Sequence, residues 1–397
     1  MTFRFAHYTL LILLTSICLS CAKKEKKKPI EDPKPKDTMV RMEAYVFPPA
    51  NFDTKYLVSK KNSIERFVDK TWREQDNLSL LVAENGKIIY EKYQGYADRR
   101  EGTDITPSTA LHIASVSKVM TATAILELID AGKLKLGQKV NTILKDFPYE
   151  DITIQTLLNH RSGLTNYAYY TDRNEIWDKK KMLRNQDILD LFIKNKTPLD
   201  FRTDKKFTYN NTNYAMLALV IEKITGLSYA KAMDEMIFKP LGMNDTYVYE
   251  YDKHKTTAVP SYKGNNVEIG LDFLDAIVGD KNIYSTPRDI LKFDMARYSP
   301  NFLNPKLMKK VYVGYSYEHK GEKNYGLGIR MIEWVTGQHF YFHNGWWHGN
   351  TASYVNLKKE KVMIIALSNK YTQKTYRVRF LATLFGDYPF EMKEELE

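Results

Sequence analysis

The chain has 397 residues, of which 43% are apolar, and its 59 Lys and Arg against 48 Asp and Glu give a formal charge of +11. This composition, with only two cysteines, excludes collagen-like, low-complexity and disulfide-stapled chains. Residues 1–38 hold eight basic and four acidic side chains, the remaining excess is diffuse, and no zinc-finger spacing occurs, so we predict no nucleic-acid partner.

The first 20 residues have the pattern of a signal peptide, because Arg4 and His7 precede an apolar run that begins at Leu10 and is too short to span a membrane. Leu19-Ser20-Cys21 resembles the end of a bacterial lipoprotein box, although Cys18 stands where that box usually has leucine. The resemblance implies cleavage before Cys21, which would carry lipid. The alternative is an ordinary secretory signal with incidental cysteines. Both cysteines lie in this leader, so no disulfide is expected in the exported body.

Residues 21–40 are rich in lysine and proline and are predicted to form an extended, solvated tether. No later apolar stretch is long enough to cross a bilayer. We therefore predict a protein that is exported and held at a bacterial membrane, in the periplasm or at the cell surface, by its lipid anchor alone. The sequence leaves its oligomeric state open.

The elements of the body separate into strands, a long helical middle and late strands. The first helix is predicted at 63–75, followed by a hairpin of strands 78–84 and 87–91 around Asn85-Gly86. Further helices are predicted at 115–131 with Gly132 as the C-cap, 185–195, 212–225, 228–238, 287–297 and 374–385. Late strands are predicted at 325–334, 339–344, 351–357 and 361–368. This segregation favours an α+β fold with an antiparallel sheet.

Ser115-Val116-Ser117-Lys118 opens the long predicted helix, and positions i and i+3 share a helix face. A serine hydroxyl needs an adjacent base to become a nucleophile, and a lysine amine that is kept partly neutral can supply one. The spacing alone is unspecific, because it recurs at Ser20/Lys23 and Ser228/Lys231.

Two downstream motifs distinguish the Ser115 motif from the two other occurrences of this spacing. They are Tyr209-Asn210-Asn211 before a predicted helix, and His343-Asn344-Gly345 at the end of a predicted strand. In this order the three motifs resemble those of the penicillin-recognising serine hydrolases, and most closely the class C β-lactamase-like branch. Similar stretches occur at 152–164, 238–243 and 284–289. The resemblance implies a β-lactamase/transpeptidase-like fold, with residues 41–397 forming a single catalytic domain and a helical lobe of about 106–300 inserted in an α/β lobe.

The resemblance also implies roles for the motif residues. Ser115 would be acylated, and Lys118 and Tyr209 would share the proton transfers, with their division left open. Asn211 would bind substrate and steady Lys118, and the backbone N–H groups of Ser115 and Trp346 would form the oxyanion hole.

On the implied edge strand, His343 and Gly345 would flank the substrate. Many relatives have lysine at the position of His343, and histidine, with an ordinary pKa of about 6.5, supplies less fixed positive charge at neutral pH. We therefore expect catalysis to persist and β-lactam hydrolysis to be inefficient. Trp346 and Trp347 suggest an apolar wall suited to hydrophobic groups.

A metal site built on His339, His343 and His348 is not favoured, because no carboxylate or cysteine lies at ligand spacing and His-Glu-x-x-His is absent. We predict no metal and no cofactor. The predicted function is a serine hydrolase that cleaves amide or ester bonds of D-amino-acid peptides or small carboxylic esters. The alternatives are a weak β-lactamase or a non-hydrolytic penicillin-binding sensor lipoprotein.

Overall fold

The computed structural model describes residues 51–318 and 321–390, which all fall in one compact unit. The predicted signal peptide and the tether with Cys21 lie outside these residues. Within the two described ranges, none of the helices has the length and apolar character needed to span a bilayer.

The α-helices are α1 (Thr54–Thr71), α2 (Ser117–Asp130), α3 (Ile154–Leu158), α4 (Tyr167–Tyr170), α5 (Asn185–Lys194), α6 (Asn211–Thr225), α7 (Tyr229–Met233), α8 (Tyr251–His254), α9 (Pro287–Ala296) and α10 (Pro305–Val311). Helices of the 3₁₀ type cover Ala114–Val116, Val140–Thr142 and Lys374–Leu384, and Asp234–Phe238 is a π-helical turn.

The strands are β1 (Leu78–Glu84), β2 (Lys87–Gln94), β3 (Tyr96–Asp98), β4 (Thr103–Asp104), β5 (Leu111–His112), β6 (Tyr247–Val248), β7 (Ser261–Tyr262), β8 (Glu268–Ile269), β9 (Ile283–Ser285), β10 (Lys323–Tyr325), β11 (Arg330–Glu333), β12 (His339–Trp347), β13 (Asn350–Leu357) and β14 (Val362–Ser368). Seven of them form an antiparallel sheet in the order β10-β11-β12-β13-β14-β1-β2. The early hairpin therefore joins the late strands through the pairing of β1 with β14, which confirms the predicted α+β class.

The large sheet is covered on both faces. Leu80 and Val82 of β1 pack with α1 and with the 3₁₀ helix at Lys374–Leu384, whereas Leu81 and Ala83 contribute to the core beneath the helical middle. Neighbouring side chains of a strand point to opposite faces, so a strand buried on both sides needs an uninterrupted apolar run. β1 and β14 have such runs, with almost every residue buried.

Several predicted elements differ from the structure. The helix predicted at 228–238 is α-helical only over α7 and continues as the π-helical turn. β12 runs on to Trp347, so His343-Asn344-Gly345 lies within the strand and not at its end. α1 begins nine residues earlier than predicted, at Thr54 behind the N-cap Asp53, because its first turns are largely exposed and carry no apolar periodicity. The predicted strand 325–334 is divided into β10 and β11 by a turn, in which Gly328 has φ +86°. The final helix is 3₁₀ over most of its length rather than α-helical.

The small sheet β5-β9-β6 brings distant segments together at one end of α2. β5 pairs with β9 in antiparallel register, so residues that follow β5 lie beside residues that precede β9. The Ile113 N–H donates to the Ile283 carbonyl at 2.9 Å and extends this pairing. Residues 114–118 therefore lie against residues 280–282.

Candidate active site

Ser115 and Lys118 are in direct contact. Ser115 lies in the 3₁₀ turn Ala114–Val116, and Lys118 lies in the first turn of α2. The Nζ atom of Lys118 donates to Ser115 Oγ at 3.0 Å and to the Asp280 carbonyl oxygen at 2.7 Å. Because Lys118 has no exposed surface, its amine is directed at the serine by the protein rather than by solvent.

The turn that carries Ser115 is held by a buried histidine. Ala114 has φ +48°, a conformation that is costly for a residue other than glycine. Its N–H donates to His112 Nδ1 at 3.0 Å, so His112 Nε2 carries the proton and donates to Asn282 Oδ1 at 2.9 Å. Burial lowers the pKa of His112 to about 4, which keeps this ring neutral at physiological pH.

Tyr209 lies just before α6, beside the amine of Lys118. Its ring centroid is 5.2 Å from Lys118 Nζ and 4.4 Å from the ring centroid of His160. Asn211, the first residue of α6, has a buried Oδ1 that accepts no hydrogen bond from any residue the structure describes. The expected hydrogen bond from Lys118 to Asn211 is thus not formed in this structure.

The end of β12 forms the opposite side of the site. Residues 339–342 pair with β11 and residues 341–347 pair with β13, so beyond Phe342 one edge of β12 faces away from β11. A Cβ atom on Gly345 would lie 2.9 Å from Ser115 N and 2.6 Å from the Ile113 carbonyl oxygen. Only glycine allows β12 to approach the serine turn this closely.

His343 is fully buried, and its two ring nitrogens are both engaged. Nδ1 contacts the Asn344 carbonyl at 2.9 Å, which requires a proton on Nδ1, so Nε2 accepts from the Tyr325 hydroxyl at 3.1 Å. Burial, and secondly the charges of Arg330 and Lys118, hold the pKa of His343 well below its usual value. His343 therefore contributes a neutral wall.

Arg330 supplies a charge that the sequence analysis missed. It lies on β11 opposite Phe342 of β12, and its guanidinium carbon is 4.3 Å from the ring centroid of Tyr209. Guanidinium groups remain charged at all ordinary pH values. The strand containing Arg330 was predicted, but the register that places it beside Tyr209 depends on sheet pairing.

The two tryptophans differ in their surroundings. Trp346 is 60% exposed, whereas the indole Nε1 of Trp347 donates to Asp275 Oδ1 at 2.6 Å. The apolar wall that the two tryptophans suggest therefore stays a prediction.

Asp275, His348 and Asp272 form a cluster of side chains of the kind that bind metals, with ligand atoms within 4.8 Å of one another. His348 Nε2 contacts both carboxylate oxygens of Asp275, at 3.0 and 3.1 Å. A cavity of about 420 Å³ adjoins Asp275 and His348, and neither Ser115 nor Lys118 lines it. The cluster and the cavity lie outside the serine–lysine pair.

Comparisons with known proteins agree with this architecture. The family described as Beta-lactamase matches residues 64–385. Penicillin-binding protein 4* of Bacillus subtilis is 31% identical, over 81% of this chain and 75% of its own length. The teichoic acid D-alanine hydrolase of Staphylococcus aureus is 29% identical, over 75% of this chain and 76% of its own length.

Two solved structures share the fold. A penicillin-binding protein from Bacillus halodurans superposes with a TM-score of 0.70 at 24% identity, covering 82% of this chain and all of the other. FmtA from Staphylococcus aureus gives a TM-score of 0.68 at 23% identity, covering 85% of this chain and 92% of the other. The family match over residues 64–385 and the relative at 31% identity show that the chain belongs to the Beta-lactamase family within the serine hydrolase superfamily.

Proposed function

We propose that this protein hydrolyses amide or ester bonds through an acyl-enzyme on Ser115. The observation that carries the proposal is the 3.0 Å contact between Ser115 Oγ and the amine of the fully buried Lys118. A buried amine within hydrogen-bond distance can take the serine proton as the hydroxyl attacks a carbonyl carbon.

The remaining residues complete the reaction. The tetrahedral oxyanion would accept hydrogen bonds from the backbone N–H groups of Ser115 and Trp346, which belong to the two segments that meet at Gly345. The proton would pass to the leaving group through Lys118 or Tyr209, whose ring lies beside the amine. Water would then release the acyl group by the reverse sequence of proton transfers.

The substrate class that we propose is D-amino-acid peptides or small carboxylic esters. The name of the Staphylococcus aureus relative, a teichoic acid D-alanine hydrolase, supports a D-alanyl ester or amide. The fixed charge of Arg330 beside Tyr209 suits a substrate with a free carboxylate. Asn211, whose buried Oδ1 is a free acceptor among the described residues, would receive an N–H of a peptide substrate.

Intact-mass analysis tests the proposal and separates it from its alternatives. A fluorophosphonate should add once to the wild type and should not add to Ser115→Ala. Turnover by Ser115→Ala should fall below about a thousandth of the wild-type rate. Absence of an adduct on Ser115 would refute the proposal.

The fate of a penicillin adduct distinguishes the alternatives. A persistent adduct without turnover of any ester or peptide would identify a sensor, and nitrocefin hydrolysis alone would identify a weak β-lactamase. Kinetics with nitrocefin, D-Ala-D-Ala peptides and p-nitrophenyl esters then determine the substrate class.

We further propose that Cys21 carries lipid and holds the enzyme at a bacterial membrane after export. The support is the leader pattern and the Leu19-Ser20-Cys21 sequence. Labelled fatty acid should be incorporated by the wild type and by Cys18→Ser, but not by Cys21→Ser. Equal labelling of the two variants would contradict lipidation at Cys21.

A further inference from the structure

A second buried lysine lies behind the site. Lys281 is 3% exposed and takes no part in the reaction steps above. Its Nζ donates to the Tyr167 hydroxyl at 2.8 Å, lies 3.6 Å from Asp280 Oδ1 and is 4.6 Å from the ring centroid of Trp347. A buried amine is costly unless it has a partner, so its surroundings indicate what it does.

Asp280 connects this lysine to Lys118. Its backbone carbonyl accepts the hydrogen bond from Lys118 Nζ, and its carboxylate is only 1% exposed at the side chain. Oδ2 accepts from the Tyr167 hydroxyl at 2.7 Å, and Oδ1 accepts no hydrogen bond from the described part of the chain. Asp280 thus meets Lys118 through its backbone carbonyl and Lys281 through its carboxylate, so one residue adjoins both buried amines.

The other ionisable groups around Lys118, among the residues that the structure describes, make no contact with the Asp280 carboxylate. They are His160, His343, Tyr209, Tyr214 and Arg330. Burial lowers the pKa of both histidines and raises the pKa of Tyr214, so these three groups are neutral at pH 7. Arg330 is a permanent cation, and its guanidinium carbon lies 4.3 Å from the ring centroid of Tyr209.

The groups facing Lys281 are Tyr167, Asp280, Asp275 and Asp272. Burial raises the pKa of Tyr167, which therefore stays protonated and donates to Asp280. Asp275 is engaged by Trp347 and His348. Burial lowers the pKa of Lys281, Asp280 and Asp275 oppose that effect, and Lys118 adds to it, so the two lysines influence each other electrostatically.

We propose that Lys281 acts as the counter-ion of Asp280 and so leaves Lys118 free to accept the proton of Ser115. The inference rests on the proposed function and makes Lys281 a positioning residue that acts through Lys118. Without Lys281, Lys118 would be the lysine that adjoins Asp280, through the hydrogen bond to its backbone carbonyl. A nearby carboxylate favours the protonated amine by about one to three pH units, and a protonated amine cannot act as a base.

Three variants test the balance of charge through the pH dependence of Ser115 acylation by p-nitrophenyl acetate. Lys281→Met should shift the acidic limb of the pH–rate profile to a pH about one unit higher. Acylation at neutral pH should then fall about tenfold. Asp280→Asn should move the limb in the opposite direction. The double variant Asp280→Asn/Lys281→Met, which removes both charges, should recover most of the wild-type rate and profile.

Lys370→Met is the matched control, because Lys370 is also a buried lysine but donates to the Gln75 carbonyl oxygen and contacts no residue of the site. Its profile should equal that of the wild type. An unchanged profile in Lys281→Met, or a double variant no better than Lys281→Met, would overturn the inference.

If Lys281→Met does not fold, the pH–rate profile of Asp280→Asn can be compared with that of the double variant, because these two differ only by the charge of Lys281. The acidic limb of the double variant should lie at the higher pH. An acidic limb at the same or a lower pH in the double variant would refute the inference. A wild type that is not acylated at Ser115 would instead refute the proposed function, so the two failures are distinguishable.

Discussion

The backbone nitrogen of Ser115 lies 2.9 Å from the position that a Cβ atom of Gly345 would occupy. Real Cβ atoms essentially never come within 3.0 Å of another heavy atom, and here the obstacles are backbone atoms of residues 113 and 115. A side chain at this position must therefore move β12 away from the serine turn.

Gly345→Ala should consequently reduce kcat/KM by about a hundredfold or more, because a displacement of about 1 Å at the reacting groups has an effect of this size. Steady-state kinetics with p-nitrophenyl esters measures the loss. Gly137→Ala is the matched control, since its Cβ would meet no atom within 4 Å and its φ is not positive. Full activity in Gly345→Ala would contradict the packing of β12 against Ser115.

Tyr209→Phe should reduce turnover by about a hundredfold, because it removes the proposed proton-transferring hydroxyl and retains the ring that lies beside the Lys118 amine and packs on His160. Rapid-mixing kinetics should show which half-reaction is slowed, and so how Lys118 and Tyr209 divide the proton transfers. Tyr169→Phe, at a ring that is 79% exposed, should leave both steps unchanged. If both steps of Tyr209→Phe kept their wild-type rates, the hydroxyl would have no part in catalysis.

Arg330→Met should discriminate between substrates. The loss of a charge-assisted contact should lower kcat/KM for D-Ala-D-Ala peptides by about tenfold or more, whereas p-nitrophenyl acetate, which has no carboxylate, should be affected much less. Arg379→Met removes an exposed arginine and serves as the control. An equal loss on both substrates would show that Arg330 positions Tyr209 and does not bind a carboxylate.

The free energy of unfolding should fall as the pH is lowered from 7 towards 4. His112 has a folded-state pKa of about 4 against an ordinary value of 6.5, because burial disfavours its charged form. The unfolded chain therefore binds the proton first. The stability held by neutral His112 is complete above about pH 6.5 and is lost as the pH falls towards 4. Between pH 6.5 and 4, His112 alone should lower the free energy of unfolding by about 3 kcal/mol.

Urea unfolding at several pH values measures this slope. His112→Asn should flatten it, and His339→Asn, at a side chain that is about half exposed, should not. An unchanged slope in His112→Asn would mean that His112 is not the group that titrates. The buried His160 and His343, whose pKa values are also lowered, should contribute in the same direction.

Several parts of the fold could be predicted because their signals are local. The apolar run of β1, the Asn-Gly turn after it and the helical periodicity of α5, α6 and α9 appear in short windows of sequence, and the structure places all of these elements within a few residues of their predicted bounds. The ends of α1 and the division into β10 and β11 could not be predicted. Exposed helical turns lack apolar periodicity, and the turn at Gly328 interrupts a sequence that otherwise resembles a single strand.

The signal peptide, the lipid anchor and the +11 charge are properties that the sequence alone predicts, and the motif of Ser115 and Lys118 is local because one helical turn joins the two residues. The surroundings of that pair are not local. Arg330 reaches Tyr209 through the register of β11 on β12, and Asp280 and Lys281 reach Lys118 because β9 pairs with β5 across more than 160 residues. A sequence motif can name a nucleophile and its base. Which charges surround the base depends on burial and strand pairing, and only the tertiary structure decides these.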